Sequence, residues 1–192
     1  MDTRIKRVVF NEEEHTYTFD GKSLHGVTAV IGKMFGKSFP ESDTVKLATL
    51  YGSTVHSEVE HYYNNGGILS TDGAKWVVDT LETFKHNVKG GEKIECEVMV
   101  SDFEGTASKV DVVLHTLEGA FLFDIKTTSH FDRPYCSLQL SVYKELYEAC
   151  YGENVLGLFV LGTKMKRLFR IFLQDGKMVK KVLDLNKGEG ND

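Results

Sequence analysis

The chain has 192 residues, 41% of them apolar and 27% charged, proportions that fit one globular domain with its own core. A net charge of −5 argues against a protein that coats nucleic acid by bulk positive charge. No apolar run reaches the roughly 18 residues of a membrane span and the N-terminus has no apolar signal region, so the expectation is a cytoplasmic protein with no membrane partner.

Taken in chain order, residues 8 to 10 and 16 to 19 read as strands around the polar turn 11 to 14, with a second turn at Asp20 and Gly21. Gly26 to Ile31 begins a short helix. Residues 43 to 64 carry helical apolar spacing and stop at Asn64, Asn65, Gly66 and Gly67. A helix over about 71 to 89 is capped by Thr71 or Asp72 and closed by Gly90 and Gly91. Strands follow at 93 to 101, 106 to 116 and 120 to 127, the last two joined by a tight turn near Glu118 and Gly119. A helix from about Pro134 to Tyr151 ends at Gly152. Strands at 155 to 162 and 167 to 173 complete an α/β domain with a mixed central β-sheet flanked by helices, and 186 to 192 read as a disordered tail. The three cysteines, Cys96, Cys136 and Cys150, are odd in number and scattered, so they are read as reduced thiols.

Within the 106–127 hairpin, a loop with an even number of residues points Asp111 and Asp124 to the same face, which Lys126 shares. Their neighbours, Val110, Val112, Val113, Phe123 and Ile125, are typical of buried strands. Two acids in such a place are costly unless something neutralises them. A hard divalent cation with oxygen ligands does so, and a structural Asp–Lys pair is the alternative. His56 and Glu60 share one helix face, as do Gln139 and Tyr143. Neither HExxH, nor a GxxxxGK[ST] loop, nor GxSxG occurs, which excludes the zinc proteases, P-loop enzymes and α/β-hydrolases those motifs mark. Lys164, Lys166, Arg167 and Arg170 concentrate positive charge within seven positions.

The ordered set of Gly52 through His56 to Glu60, Gly105 to Asp111, Asp124-Ile125-Lys126-Thr127-Thr128 and Gln139 to Tyr143 resembles the RecB-like branch of the PD-(D/E)xK nuclease superfamily. The likeness spans about residues 26 to 173. Small stand-alone members include phage exonucleases and an exonuclease that maintains mitochondrial genomes. The opening, Glu14 to Tyr17 and Gly26 to Val30, is similar to the N-terminal region of those forms.

The resemblance implies a single nuclease domain over 1 to 185, with a restriction-endonuclease-like core at about 43 to 173. It implies Mg²⁺ or Mn²⁺ held by His56, Asp111, Asp124 and the Ile125 carbonyl. Lys126 would position and activate water, while Gln139 and Tyr143 would support the site and contact the DNA backbone. Glu60, Glu95 and Glu97 are expected around the ligands or at a second metal. Lys164, Lys166 and Arg167 are expected on DNA, and Tyr51, Tyr62 and Tyr63 as rings for unpaired bases. Val110 stands where the family name has proline, and Asp124 where many members have Glu. The branch with an iron–sulfur cluster uses four cysteines, so no cluster is expected here. The activity implied is a DNA exonuclease preferring single-stranded ends, in phage or cellular recombination, repair or degradation, with a recombination or replication protein as a partner; a phage-encoded member would work in the host cytoplasm. A structure-selective endonuclease, a non-catalytic end-binding module of the same fold, and a structural protein with a coincidental hairpin are the rival readings.

Overall fold

The computed structural model describes residues 1–36, 43–185 and 187. After a single 3₁₀ helix, Thr3–Arg7, the chain forms an antiparallel meander of β1 (Val8–Asn11), β2 (Thr16–Phe19) and β3 (Lys22–Gly26). Helices α1 (Val27–Met34), α2 (Asp43–Asn65) and α3 (Asp72–Asn87) follow. The Thr71 hydroxyl starts α3 by accepting the Ala74 N–H at 3.2 Å. Strands β4 (Gly91–Ser101), β5 (Thr106–Thr116) and β6 (Gly119–Lys126) then build the centre. The β5–β6 turn is Leu117 and Glu118, closed by Thr116 pairing with Gly119. Helix α4 (Arg133–Tyr151) starts on the Asp132 carboxylate, which accepts the Tyr135 N–H at 3.0 Å, and stops at Gly152, whose φ of +66° suits glycine. Strands β7 (Val155–Gly162) and β8 (Arg167–Ile171) and helix α5 (Gly176–Leu185) complete the described chain.

The eight strands form one mixed sheet in which β3–β5 and β6–β7 are parallel and the other pairs antiparallel. Helices α1, α4 and α5 cover one face, with Leu140, Tyr147 and Val182 packed on Val113, Leu122 and Val160. Helices α2 and α3 cover the other, with Val55, Val59 and Leu81 on Val112, Leu114 and Phe123. Each such buried side chain contributes about 1.5–3 kcal/mol of transfer free energy. Among the described residues no helix is long and apolar enough to cross a membrane.

A fork at β5 sets the geometry of the sheet's open edge. Strand β5 has β4 along one edge, but its other edge is shared. Val112–Thr116 pair with β6, while Thr106 and Ala107 pair with β3. Among the described residues, Ser108 to Asp111 have no strand on that side, so the sheet forks there. Alternation also breaks at the fork. Val110 and Val113 both pack on the α4 side, while Val112 packs on the α2 side. Opposite, on β4, Ile94 packs toward α2 but Val98 and Val100 pack toward α4, and the residue between, Glu97, has φ +53°. A non-glycine residue in that region inside a strand marks an irregularity of the kind found beside active sites.

Three differences from the sequence reading have physical causes. Strand β3 has only Leu24 buried, too little pattern to signal a strand. Helix α5 buries only Val179 and Val182 among its lysines and is held by docking onto α4 and α1. Strand β8 ends at Ile171, leaving Phe172 and Leu173 exposed rather than paired. The expected tail lies outside the described residues except Lys187, which pairs with Glu104 at 2.7 Å.

Candidate metal centre in the sheet fork

The fork opens a cleft of about 310 Å³ whose floor includes Asp111, Asp124, Ile125 and Lys126. Asp111 is the first residue of β5 beyond the β6 ladder. Its Oδ2 accepts the Ile125 N–H at 2.7 Å, substituting a side chain for a missing ladder partner. The Ile125 carbonyl, on the same edge, faces His56 Nε2 at 3.3 Å. Helix α2 brings His56 there by lying close over the end of β6: a Cβ at Gly52 would come within 3.1 Å of Thr127 Oγ1. The other ring nitrogen, His56 Nδ1, lies 3.7 Å from Asp111 Oδ2 and 3.8 Å from Glu97 Oε1. His56, Glu97 and Asp111 form the one group among the described residues whose ligand atoms all lie within 4.8 Å of one another.

Asp124 is held differently. Its buried carboxylate takes the Lys126 ammonium at 2.9 Å and 2.8 Å and the Gln139 amide at 3.1 Å. The same amide donates to the Tyr143 hydroxyl at 3.0 Å, which also accepts from Ser108 at 3.1 Å. Two buried acceptors here, Asp124 Oδ2 and Gln139 Oε1, accept no hydrogen bond among the described residues. Oδ2 has the nearby ammonium as its counter-charge.

The titration behaviour follows from this crowding. Burial pushes Asp111 up to about 7, with Asp124 and Glu97 adding to the rise and His56 and Lys126 opposing it. Burial alone would lower His56, but Asp111, Glu97 and Asp124 outweigh it and push the imidazole up to about 9. Burial likewise disfavours the Lys126 ammonium, yet Asp124 and Asp111 outweigh it and raise Lys126 above the ordinary lysine range. Lys126 is therefore held as a cation that donates hydrogen bonds and keeps its proton. Burial raises Tyr143, so it stays a neutral phenol.

A hard divalent cation fits this donor set: two carboxylates, an imidazole and a backbone carbonyl converge where the local charge is otherwise unfavourable. The structure brings together His56, Asp111, Asp124, Ile125, Lys126, Gln139, Tyr143 and Glu97 from the expected set. Glu95 does not belong to it. The irregularity at Glu97 separates the two acids, and Glu95 bonds His115 Nε2 at 2.8 Å and pairs with Lys93. Glu60 is outside the cleft too, one helical turn beyond His56 and close to Cys96.

The expected cationic segment fans out from the β7–β8 turn, and none of its members lines the cleft. Lys164 lies 4.7 Å over the Tyr51 ring, Lys166 donates to the Asp72 carbonyl at 2.7 Å, and Arg167 lies 5.2 Å over Phe169. Tyr62 and Tyr63 meet each other edge-on, centroids 5.2 Å apart, and pack against the α2–α3 core instead of standing free for bases. The sequence reading missed Phe10, His15, Tyr17, Ser108 and Lys109 at the cleft wall. Ser108 and Lys109 lie within the Gly105 to Asp111 segment, and His15 and Tyr17 within the Glu14 to Tyr17 segment, both singled out by the resemblance without a role for these residues; Phe10 carries no such signal. The three cysteines are free thiols, Cys136 and Cys150 buried and Cys96 half-buried.

No family model matches the chain, and no curated protein does. Among solved structures, the crystal structure of SSO0001 is similar at 12% identity and a TM-score of 0.32, covering 86% of this chain and 87% of that one. A likeness of that degree carries no argument about fold or function.

Proposed function

We propose that the chain is a Mg²⁺- or Mn²⁺-dependent deoxyribonuclease with a core of the PD-(D/E)xK kind, acting on DNA with free single-stranded ends. The observation that carries this reading is the convergence of His56, Glu97 and Asp111 in the sheet fork, beside the ammonium of Lys126. His56, Glu97, Asp111 and the Ile125 carbonyl would hold the cation. Bound there, it supplies charge that neutralises a phosphodiester and lowers the pKa of a nearby water. Lys126 supplies a fixed positive charge where negative charge grows on the phosphate. Asp124 orients that ammonium, and Gln139, whose amide also donates to Tyr143, orients Asp124. Lys109 and Lys164 add local positive charge to a chain that is acidic overall. A recombination or replication protein is the proposed partner, and the cytoplasm, the host's for a phage protein, the proposed location.

Digestion of labelled linear and circular single-stranded DNA, and of a duplex, tests the reading. Linear single strands should be degraded with Mg²⁺ or Mn²⁺, circles should resist, and excess EDTA should stop the reaction. Equal rates on circle and line would make the protein an endonuclease. Binding without hydrolysis under every metal would make it an end-binding module.

A further inference from the structure

The wall of the cleft opposite α4 belongs to the N-terminal hairpin and not to the α/β core. Phe10 at the end of β1 and Tyr17 on β2 stack obliquely, with centroids 4.6 Å apart and planes at 35°. His15, in the turn between them, meets Phe10 edge-on at 5.2 Å. Lys109 of β5 holds its ammonium 4.5 Å over the Phe10 ring and 3.8 Å from Glu97. All four line the cleft that contains Asp111 and Lys126. Tyr17 is buried and explains itself as core, but Phe10 is only half-buried and His15 is exposed. His15 has φ +54°, the left-handed conformation of a turn residue.

We propose that the β1–β2 hairpin is a nucleobase platform: the Phe10 and His15 rings take the unpaired base of the nucleotide in the cleft. Lys109 exchanges its place over Phe10 for contact with that nucleotide's phosphate. The inference rests on the nuclease reading above and adds a selection for unpaired bases, because a base held in its duplex partner's stack cannot reach these rings. An aromatic face accepts any base, so the platform selects strandedness and not sequence. In the sheet the hairpin joins the core through β3, whose His25 and Gly26 pair with Thr106 and Ala107 at the foot of the fork, and Tyr17 packs in one cluster with Ala107.

The test uses short single-stranded oligonucleotides carrying one 2-aminopurine, terminal or internal, bound to the full chain in EDTA at low salt. Stacking should quench the terminal probe at least about twofold, with less effect on the internal one. Phe10→Leu keeps an apolar side chain on Tyr17 and should lose the quench, weaken binding about tenfold and raise KM more than it lowers kcat. Phe10→Trp should keep all three near wild type. His15→Ala, at an exposed turn position, should lose part of the quench without lowering the melting temperature. Binding by anisotropy with no quench, or an equal quench in wild type and Phe10→Leu, would overturn the platform while leaving metal-dependent hydrolysis intact. Absence of both oligonucleotide binding and Mn²⁺-dependent hydrolysis would overturn the nuclease reading and the platform with it.

Discussion

The Asp111 carboxylate accepts the backbone N–H of Ile125 at 2.7 Å, one residue beyond the last backbone pair between β5 and β6, Val112 with Phe123. This contact makes Asp111 part of the sheet as well as part of the site. The strand that supplies the acid is thereby locked to the strand that supplies Asp124 and Lys126, and the Ile125 carbonyl is left facing His56. Geometry at the site is set by secondary structure, where small displacements are resisted by the sheet itself.

The double role of Asp111 separates two substitutions. Asp111→Asn keeps an oxygen to accept the Ile125 N–H and removes a buried charge, so its melting temperature should match or exceed wild type while Mn²⁺ affinity falls at least about tenfold. Asp111→Ala leaves that N–H unpaired and should cost about 1–3 kcal/mol, a loss of roughly 2–12 °C in a chain of this size. Calorimetry and thermal denaturation read both; equal stability of the two variants would show that the contact does not matter.

Lys126 and Asp124 behave as a pair. Removing the ammonium alone, as in Lys126→Met, strands a buried carboxylate and should destabilise the protein by about 3 kcal/mol. The double variant Asp124→Asn/Lys126→Met should recover most of that stability and none of the hydrolysis. A double-mutant cycle in urea gives the coupling, and additive losses would argue against a shared ion pair.

Glu97 is the residue whose role the structure raises most. Glu97→Gln keeps the side-chain length and removes one negative charge, so it should weaken Mn²⁺ binding about tenfold without lowering stability. Unchanged affinity in isothermal titration would remove Glu97 from the ligand set.

Protons compete with a cation at this site. Both Asp111, raised to about 7, and His56, raised to about 9, have folded values above their ordinary ones of 3.8 and 6.5. Their contribution to the stability of the metal-free protein is therefore fully present at low pH. It is lost as pH rises, from 3.8 through 7 for Asp111 and from 6.5 through 9 for His56. Metal binding displaces the same protons, so Mn²⁺ affinity should climb from pH 6 to 9 and binding should release protons. The Mn²⁺-induced rise in melting temperature should widen over that range, and a flat profile would contradict it.

Much of this was legible in sequence because it depends on short-range periodicity. The hairpin register that pairs Val112 with Phe123, the helix carrying Gln139 and Tyr143 on one face, and the Thr71 and Gly152 helix ends all follow from spacing and capping chemistry. What stayed hidden depends on departures from periodicity or on distant chain segments. Alternation treats Glu95 and Glu97 alike, and only the φ of +53° at Glu97 tells them apart. The strict two-residue repeat also placed Asp111 squarely on one face, whereas the break between Val110 and Val112 turns it toward the fork. The Phe10 and His15 wall lies about a hundred residues before Asp111 in the chain and enters through the short β3–β5 pairing, which no local pattern announces.

On the proposed function, Asp111 and its neighbours support metal-dependent hydrolysis of DNA. The most direct measurement follows end-labelled linear single-stranded DNA with wild type and Asp111→Asn, each with Mn²⁺ and with excess EDTA. Product should form from wild type with Mn²⁺ and not in EDTA, and at least about a hundredfold more slowly from Asp111→Asn. Product that persists in EDTA, or equal rates from the two proteins, would contradict it.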